Sequence, residues 1–398
     1  MKIYADLHIH SKFSRATSKN LTIENLEKYA RIKGLNLLGT GDFTHPKWLG
    51  ILKEKLSEDG SGFLKTKSGF DFVLQAELSN MYRQDDKGRR VHNIILAPSF
   101  EIVEQINEVL APRGKLASDG RPIFSKMSCI ELCELLFEIS EKIEVIPAHI
   151  WTPWFSVLGS KSGFDSIEEC YGEYSGKIHA LETGLSSDPA MNWRLSKMDK
   201  FTLVSNSDAH SFWPWRIGRE CNAFDIEPSY DSLQRALKTQ KGLDFTIEVD
   251  PSYGKYHFDG HRKCSVCMNP KESLNHKDVC PKCGKPLTIG VLHRVEELAD
   301  RPNGFKPKGA VPFKTLLPLS EIIALSLGVK SPSSLRVDSI YYKLIEKFKS
   351  ELTVMLESPE EELKKIAGEK LCSLIMKNRD GKIKVRPGFD GEYGIPEI

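Results

Sequence analysis

The fold class the sequence predicts is α/β: a closed or nearly closed β/α barrel, then a small cysteine module, then a helical C-terminal region. Three observations predict it. Short apolar runs alternate with amphipathic stretches over the first 250 or so residues. Four cysteines then fall into two closely spaced pairs. Helical periodicity takes over from about residue 318. A doubly wound open sheet is the competing shape for the first part.

Seven strands are expected, at Ile3–Ile9, Leu35–Gly39, Phe72–Ala76, Val91–Ala97, Ile143–Ala148, His179–Leu181 and Phe201–Ser205. Helices lie between several of them. Thr22 caps Ile23–Lys33 and Gly34 stops it; Ser99 precedes Phe100–Leu110. Ser128 and Glu131 form a capping box before Leu132–Ser140, and Asp188-Pro189 opens Ala190–Lys197. The predicted domains are 1–250, the barrel; 251–317, the cysteine module with a basic Pro/Gly-rich stretch; and 318–398, the helical end. In that last part Ser320 and Ser331 are expected caps, with helices over Tyr342–Leu356 and Pro359–Met376.

Composition sets limits. A net charge of +2 requires any nucleic-acid contact to come from a local basic patch. No apolar run is long enough for a bilayer, and the first residues enter a strand directly, so the expectation is a cytoplasmic protein without a membrane partner. Nine cysteines, four of them at metal-ligand spacing, argue against a disulfide framework. Cys129, Cys133, Cys170, Cys221 and Cys372 are expected as buried small hydrophobes.

Most expected strand ends carry a metal-binding side chain. His8 and His10 point to one face of an extended chain. Asp42 and His45 follow the second strand, Glu77 the third; His92 starts the fourth, His149 ends the fifth, Glu182 the sixth, and Asp208 and His210 the seventh. In a β/α barrel such positions converge on one mouth. His and carboxylate donors suit Zn, Mn, Fe or Mg, and ten candidates imply two or three ions, with Glu77 and Asp208 as bridging candidates. Such a cluster activates water and clamps a phosphate ester. Cys264, Cys267, Cys280 and Cys283 match a closed structural zinc site.

Tyr4-Ala5-Asp6-Leu7-His8-Ile9-His10-Ser11, Glu77, Ala148-His149 and Ser207-Asp208-Ala209-His210 resemble the motifs of the PHP superfamily. That resemblance implies a distorted (β/α)7 barrel with up to three metals and phosphoesterase activity. Two departures stand out. Ser14-Arg15 occupies a place where an Asp is common, and Gly41-Asp42-Phe43-Thr44-His45 replaces Thr-Asp-His, leaving both Asp42 and His45 as candidates. Over nearly the whole chain, Ile146 to Phe155, Leu181 to Pro189, Trp213-Pro214-Trp215-Arg216, the cysteine module and Arg294 to Arg301 resemble the endonuclease Q family. This implies nicking of DNA 5′ to uracil, hypoxanthine, xanthine or an abasic site, leaving 3′-hydroxyl and 5′-phosphate ends. It also implies a sliding clamp as partner, although no Gln-x-x-aliphatic-x-x-aromatic-aromatic box occurs. The alternative is a PHP-type phosphatase or exonuclease without lesion specificity; the cysteine module and helical end argue against a free metabolite as substrate.

Aromatic faces for a base are expected from Trp151, Trp154, Phe155, Trp193 and Trp215, and phosphate contacts from Lys12, Arg15, Arg194, Arg216 and Arg219.

Overall fold

The computed structural model describes residues 2–397. Seven strands form the barrel: Lys2–Asp6, Leu37–Gly39, Asp71–Gln84, Lys87–Ala97, Glu144–Pro147, Ala180–Glu182 and Thr202–Val204. The first three are parallel neighbours, and Asp71–Gln84, Lys87–Ala97 and Glu144–Pro147 follow in antiparallel pairing. Ala180–Glu182 and Thr202–Val204 pair in parallel. They join the ring through Ile150 N–H to Glu182 O (3.1 Å) on one side and His10 N–H to Ala209 O (3.0 Å) on the other. Closure is completed by a side chain: Asn206 Oδ1 accepts the Leu7 N–H at 2.9 Å. The barrel is therefore distorted in two ways, by its antiparallel strand and by a seam of side-chain hydrogen bonds.

The third and fourth strands are much longer than expected, because they continue past the barrel as a hairpin turning at Asp85 and Asp86, both with positive φ. Glu77 and His92 thus sit within strands rather than at their ends. They lie on one face, since Glu77 pairs with Ile94 and Ser79 with His92.

The helix signals hold where caps are local. Ile23–Lys33 and Phe100–Leu110 have the expected limits, with Thr22 and Ser99 accepting backbone N–H groups and Gly34 left-handed at the first stop. Helix Cys129–Ile139 starts earlier than expected, directly after Ser128, whose side chain accepts the Glu131 N–H. Pro189–Asn192 is shorter than expected. In the C-terminal region the caps differ. Leu319–Leu327 starts at Pro318, and Ser334, not Ser331, caps Leu335–Phe348. Lys349 at φ 73° breaks the expected long helix, and Ser350 caps the next.

The regions share one apolar core: Leu344, Ile345 and Leu352 belong to the same buried cluster as Leu26 and Leu38. The buried Lys33–Glu351 pair (2.7 Å) ties the barrel's first helix to the C-terminal helices, and Glu351 also receives Tyr341 OH and Leu319 N–H. Removing one partner of such a buried pair costs about 3–5 kcal/mol. Phe313–Thr315, expected in the basic Pro/Gly-rich stretch, instead extends the barrel sheet beside Leu243–Glu248. The end of the chain is not helical: Lys384–Arg386 and Ile395–Glu397 form a hairpin that packs on the cysteine module, where Arg262 N–H and Thr288 Oγ1 reach Asp390. Among the described residues no helix is long and apolar enough to cross a membrane.

Candidate metal centres and the adjoining cavity

Two groups of donor atoms meet at the barrel mouth and share Glu77. One contains His8, His10, Glu77 and Asp208; the other contains Glu77, His92 and His149. Within each group the donor atoms lie within 4.8 Å of one another. Glu77 Oε2 stands 3.5 Å from His8 Nε2 and 3.2 Å from His10 Nε2. Its Oε1 stands 2.7 Å from His92 Nδ1 and 3.2 Å from His149 Nε2. Asp208 Oδ1 lies 3.0 Å from His10 Nε2.

Behind the two leading imidazoles lie two further carboxylates. Glu182 contacts His8 Nδ1 at 3.0 Å, and Asp42 contacts His10 Nδ1 at 3.1 Å. Each holds its ring through Nδ1, so that Nε2 faces Glu77 and Asp208. Ligating histidines are commonly oriented in this way. Asp42 and Glu182 therefore fall behind the donor groups rather than among them. His45 lies outside as well: it precedes helix Pro46–Lys55, and its ring stacks on Phe13 at 4.2 Å. His210 borders the site without joining either group. Its ring centroid is 4.5 Å from that of His10, and its Nδ1 faces its own turn at Asp208 O, 3.0 Å away.

The turns that present these groups are strained. Asp42, His149 and Asp208 all have positive φ, at 45°, 32° and 47°. Asp6, which sequence reasoning missed, holds the last of these turns. It is fully buried and accepts Ser207 N–H at 3.0 Å, Ser207 Oγ at 2.5 Å and Gly218 N–H at 2.9 Å. Burial pushes its carboxyl up to about 6 despite these bonds. The alternation of strand 2–6 made Asp6 visible as an inward residue two before His8, but its partners come from the far end of the barrel.

The electrostatics suit cations. Burial opposes charge on His8 and His10, yet the surrounding carboxylates, Glu182 and Glu77 for His8 and Asp42 and Asp208 for His10, hold both well above the ordinary histidine value. Glu77 is held well below the carboxylate range against its burial by His92, Arg121 and His8. Burial takes His92 down to about 4, against the opposing pull of Glu77. His8 Nε2 is buried and has no hydrogen-bond partner. A buried, unsatisfied imidazole nitrogen facing two carboxylates fits a divalent ion. Arg121 was also missed: its Nη1 donates to Glu77 Oε2 at 2.9 Å.

Beside the centre opens a cavity of about 710 Å³, walled by His92, His149, Asp208, Trp154, Phe155 and Tyr256 among others. Trp154 is 38% exposed and meets Tyr256 edge to face; Phe155 lies 4.8 Å from the His92 ring. Trp154 and Phe155, two of the five expected aromatics, thus line this cavity. Three other expectations are corrected. Trp151 is completely buried and donates Nε1–H to Asn192, so it cannot meet a base. Trp193 packs against Phe313 away from this cavity. Arg194 is buried in a bidentate pair with Glu296 (2.6 and 2.8 Å), joining barrel to module. Arg219 lines the cavity and donates to Ser207 O at 2.9 Å. Trp215 stacks on the exposed Trp213, with centroids 5.3 Å apart, outside the cavity lining. Arg216 follows on the same loop, and its N–H closes a turn onto Trp213 O at 2.8 Å. Lys12 lies over Phe13 at 5.6 Å, and Arg15 pairs with Asp119 at 3.3 Å.

In the cysteine module the donors within 4.8 Å are His261, Cys264, Cys280 and Cys283. Cys267 does not join them. It lies in strand Val266–Met268, where Val266 turns to the small core with Cys280 and Leu287, so alternation puts Cys267 on the exposed face. The five other cysteines are all buried.

Comparison with known proteins fits this geometry. Residues 318–382 match the family described as the MJ0043 C-terminal domain. The chain is 36% identical over 250 residues to the protein MJ0043 of Methanocaldococcus jannaschii, of which the match spans 31%. It is 29% identical to YqxK of Bacillus subtilis over 98% of that protein. The crystal structure of the lesion-specific endonuclease PfuEndoQ from Pyrococcus furiosus superposes with a TM-score of 0.89 at 32% identity, covering 100% of this chain and 96% of that one. An endonuclease Q bound to a 27-mer duplex with an abasic lesion at its active site gives the same score at 33% identity, with 100% and 97% coverage.

Proposed function

Because the chain belongs to the endonuclease Q family, we propose that it is a metal-dependent endonuclease of DNA repair, cutting 5′ to deaminated bases (uracil, hypoxanthine, xanthine) and to abasic sites. The observation that carries this reading is the pair of donor groups sharing Glu77, set against a cavity of nucleotide size.

His8, His10, Glu77 and Asp208 would hold one divalent ion and Glu77, His92 and His149 a second. When bound, such ions supply a water nucleophile at neutral pH and positive charge for the phosphate oxygens. The chain supplies the rest. Glu182 and Asp42 fix the rings of His8 and His10, and Asp6 fixes the Asp208 turn. Trp154 and Phe155 offer π faces to an extruded base, with Arg90 lying 5.5 Å over Phe155. Extrusion is cheapest where pairing is already weakened, which favours a lesion over a normal pair. Reading deamination requires groups that match a carbonyl and a ring N–H; Gly184, Leu185 and Ser186 line the cavity and are the candidates to supply them. Asn206 lies there too, but its amide is spent on Leu7, Glu182 and Asn222. Trp215, Arg216, Lys12 and Arg15 lie outside the cavity and suit the flanking duplex. In the module, a structural zinc would be held by Cys264, Cys280 and Cys283 with His261.

The test is incubation with labelled duplexes holding one uracil, hypoxanthine, abasic or normal nucleotide, with and without chelator. Nicking 5′ to the lesion that stops with chelator is expected. Equal cutting of undamaged duplex, or indifference to chelator, defeats the reading.

A further inference from the structure

Among the described residues, Arg121 sets a permanent positive charge against a site whose other groups are suited to cations. Its Nη1 donates to Glu77 Oε2 at 2.9 Å, and 29% of its side chain stays exposed. Beside Glu77, Asp208 and Asp119 also favour its charged form.

The segment that carries it is held on every side. Asp119 accepts Arg121 N–H at 3.2 Å and grips Arg15 through Nε at 3.3 Å. Gly120 N–H donates to Phe13 O at 3.1 Å, and Thr44 Oγ1 donates to Gly120 O at 3.4 Å. Pro122 O accepts Ser79 N–H at 3.0 Å, after which Ile123–Ser125 pairs with the strand that bears Glu77. Position 120 must be glycine, because a Cβ there would overlap both the Asp42 carboxylate and Ser14 Oγ. The segment is thus pressed against the back of the His10–Asp42 pair, and the guanidinium is delivered to Glu77.

A fixed guanidinium beside two cation sites repels the ions those sites would hold, and so weakens the binding of metal. Four imidazoles also face the Glu77 oxygens, so Arg121 is not the sole partner of that carboxylate. The arrangement becomes favourable when a polyanion lies across the mouth. We propose that Arg121 grips the scissile phosphate of the DNA, on the flank of the centre that does not line the base cavity. This rests on the endonuclease reading above. As the water oxygen bonds to phosphorus and the P–O3′ bond breaks, a proton passes from the water to solvent and one reaches the 3′ oxygen. Negative charge builds meanwhile on the non-bridging oxygens. A guanidinium with free N–H groups is suited to that charge in number and geometry.

The test compares wild type with Arg121→Ala and Arg121→Lys on an abasic-site duplex and a uracil duplex. Arg121→Ala is expected to lower kcat/KM by about 10²–10³-fold, with most of the loss in kcat. Arg121→Lys should restore part of the loss, and added guanidinium should restore part of it in the alanine variant. Bound metal per chain, by elemental analysis, should be undiminished. With metal removed, wild type should bind a duplex with the native phosphate at the cut better than one with a neutral methylphosphonate there, and the alanine variant should lose that difference. The inference is overturned if Arg121→Ala cuts at the wild-type rate, or if its activity and metal content fall in step. A wild type that cuts neither duplex brings down the endonuclease reading itself; a wild type and alanine variant that cut alike bring down only this inference.

Discussion

At the barrel mouth, His8 and Asp208 come from opposite ends of the barrel segment and stand 3.7 Å apart, each supported by partners on other strands. In the cysteine module, His261, Cys264, Cys280 and Cys283 come from one short stretch and depend on a core of three buried residues, Val266, Cys280 and Leu287. The first site is organised by the fold before any ion arrives; the second has too little apolar surface to organise itself and needs its ion to close. Damage should therefore behave differently in the two places: chemistry lost with the fold intact at the mouth, fold lost locally in the module.

The largest expected effect is at the mouth. Asp208→Asn should cut nicking by at least about a hundredfold while the melting temperature barely moves, since the turn remains pinned by Asp6. A comparable fall in melting temperature would erase the distinction between the two regions. Cys280→Ala should remove the module's metal and raise proteolysis within 259–290, with the barrel still melting cooperatively. His261→Ala against Cys267→Ala sharpens this: the histidine variant should lose zinc and the Cys267 variant retain it, by metal analysis. The reverse result would restore the four-cysteine site.

Within the cavity wall, replacing both Trp154 and Phe155 by Ala should lower the preference for a lesion over a normal base by about tenfold or more, without loss of bound metal. The smallest effect concerns the packing of helix Val291–Leu298 within the cysteine module. Asp259 accepts a 2.7 Å bond from His293 and, with Asp278 and Glu297 nearby, raises the imidazole above its ordinary value. A raised folded value means the contribution is complete below the unfolded value near 6.5 and fades as pH climbs through the folded one. His293→Ala should thus lower the melting temperature by roughly 1–3 °C at pH 6, and by less at pH 9. An equal loss at both pH values would show that the imidazole's charge is irrelevant.

Much of the site was legible in the linear chain. His8 and His10 are a period-two pair, and Asp208 and His149 lie just after strands, so assuming a barrel brings them together. Glu77 was found by residue type, although its strand runs on to Gln84. The division of labour was not legible. Nothing in the spacing distinguishes Asp42 and Glu182, which steady imidazoles, from Glu77 and Asp208, which face inward. Trp151 and Trp154 are three residues apart and equally aromatic, but one is sealed in the core. Arg121 carried no motif at all, and Asp6 lay inside one without any sign of its role.

By itself the sequence determined what is local: helix Ile23–Lys33 with its Thr22 and Gly34 ends, the inward period of the first strand, and the pairing of cysteines into one compact module. These depend on backbone geometry over a few residues, which side chains bias directly. Tertiary structure alone decided which donors face one another, that Cys267 turns outward, that Arg194 is a buried joint and that Arg121 reaches Glu77. Those outcomes depend on which strands become neighbours and which face each buries. Hydrophobic burial chooses both over the whole molecule, and no single spacing encodes them.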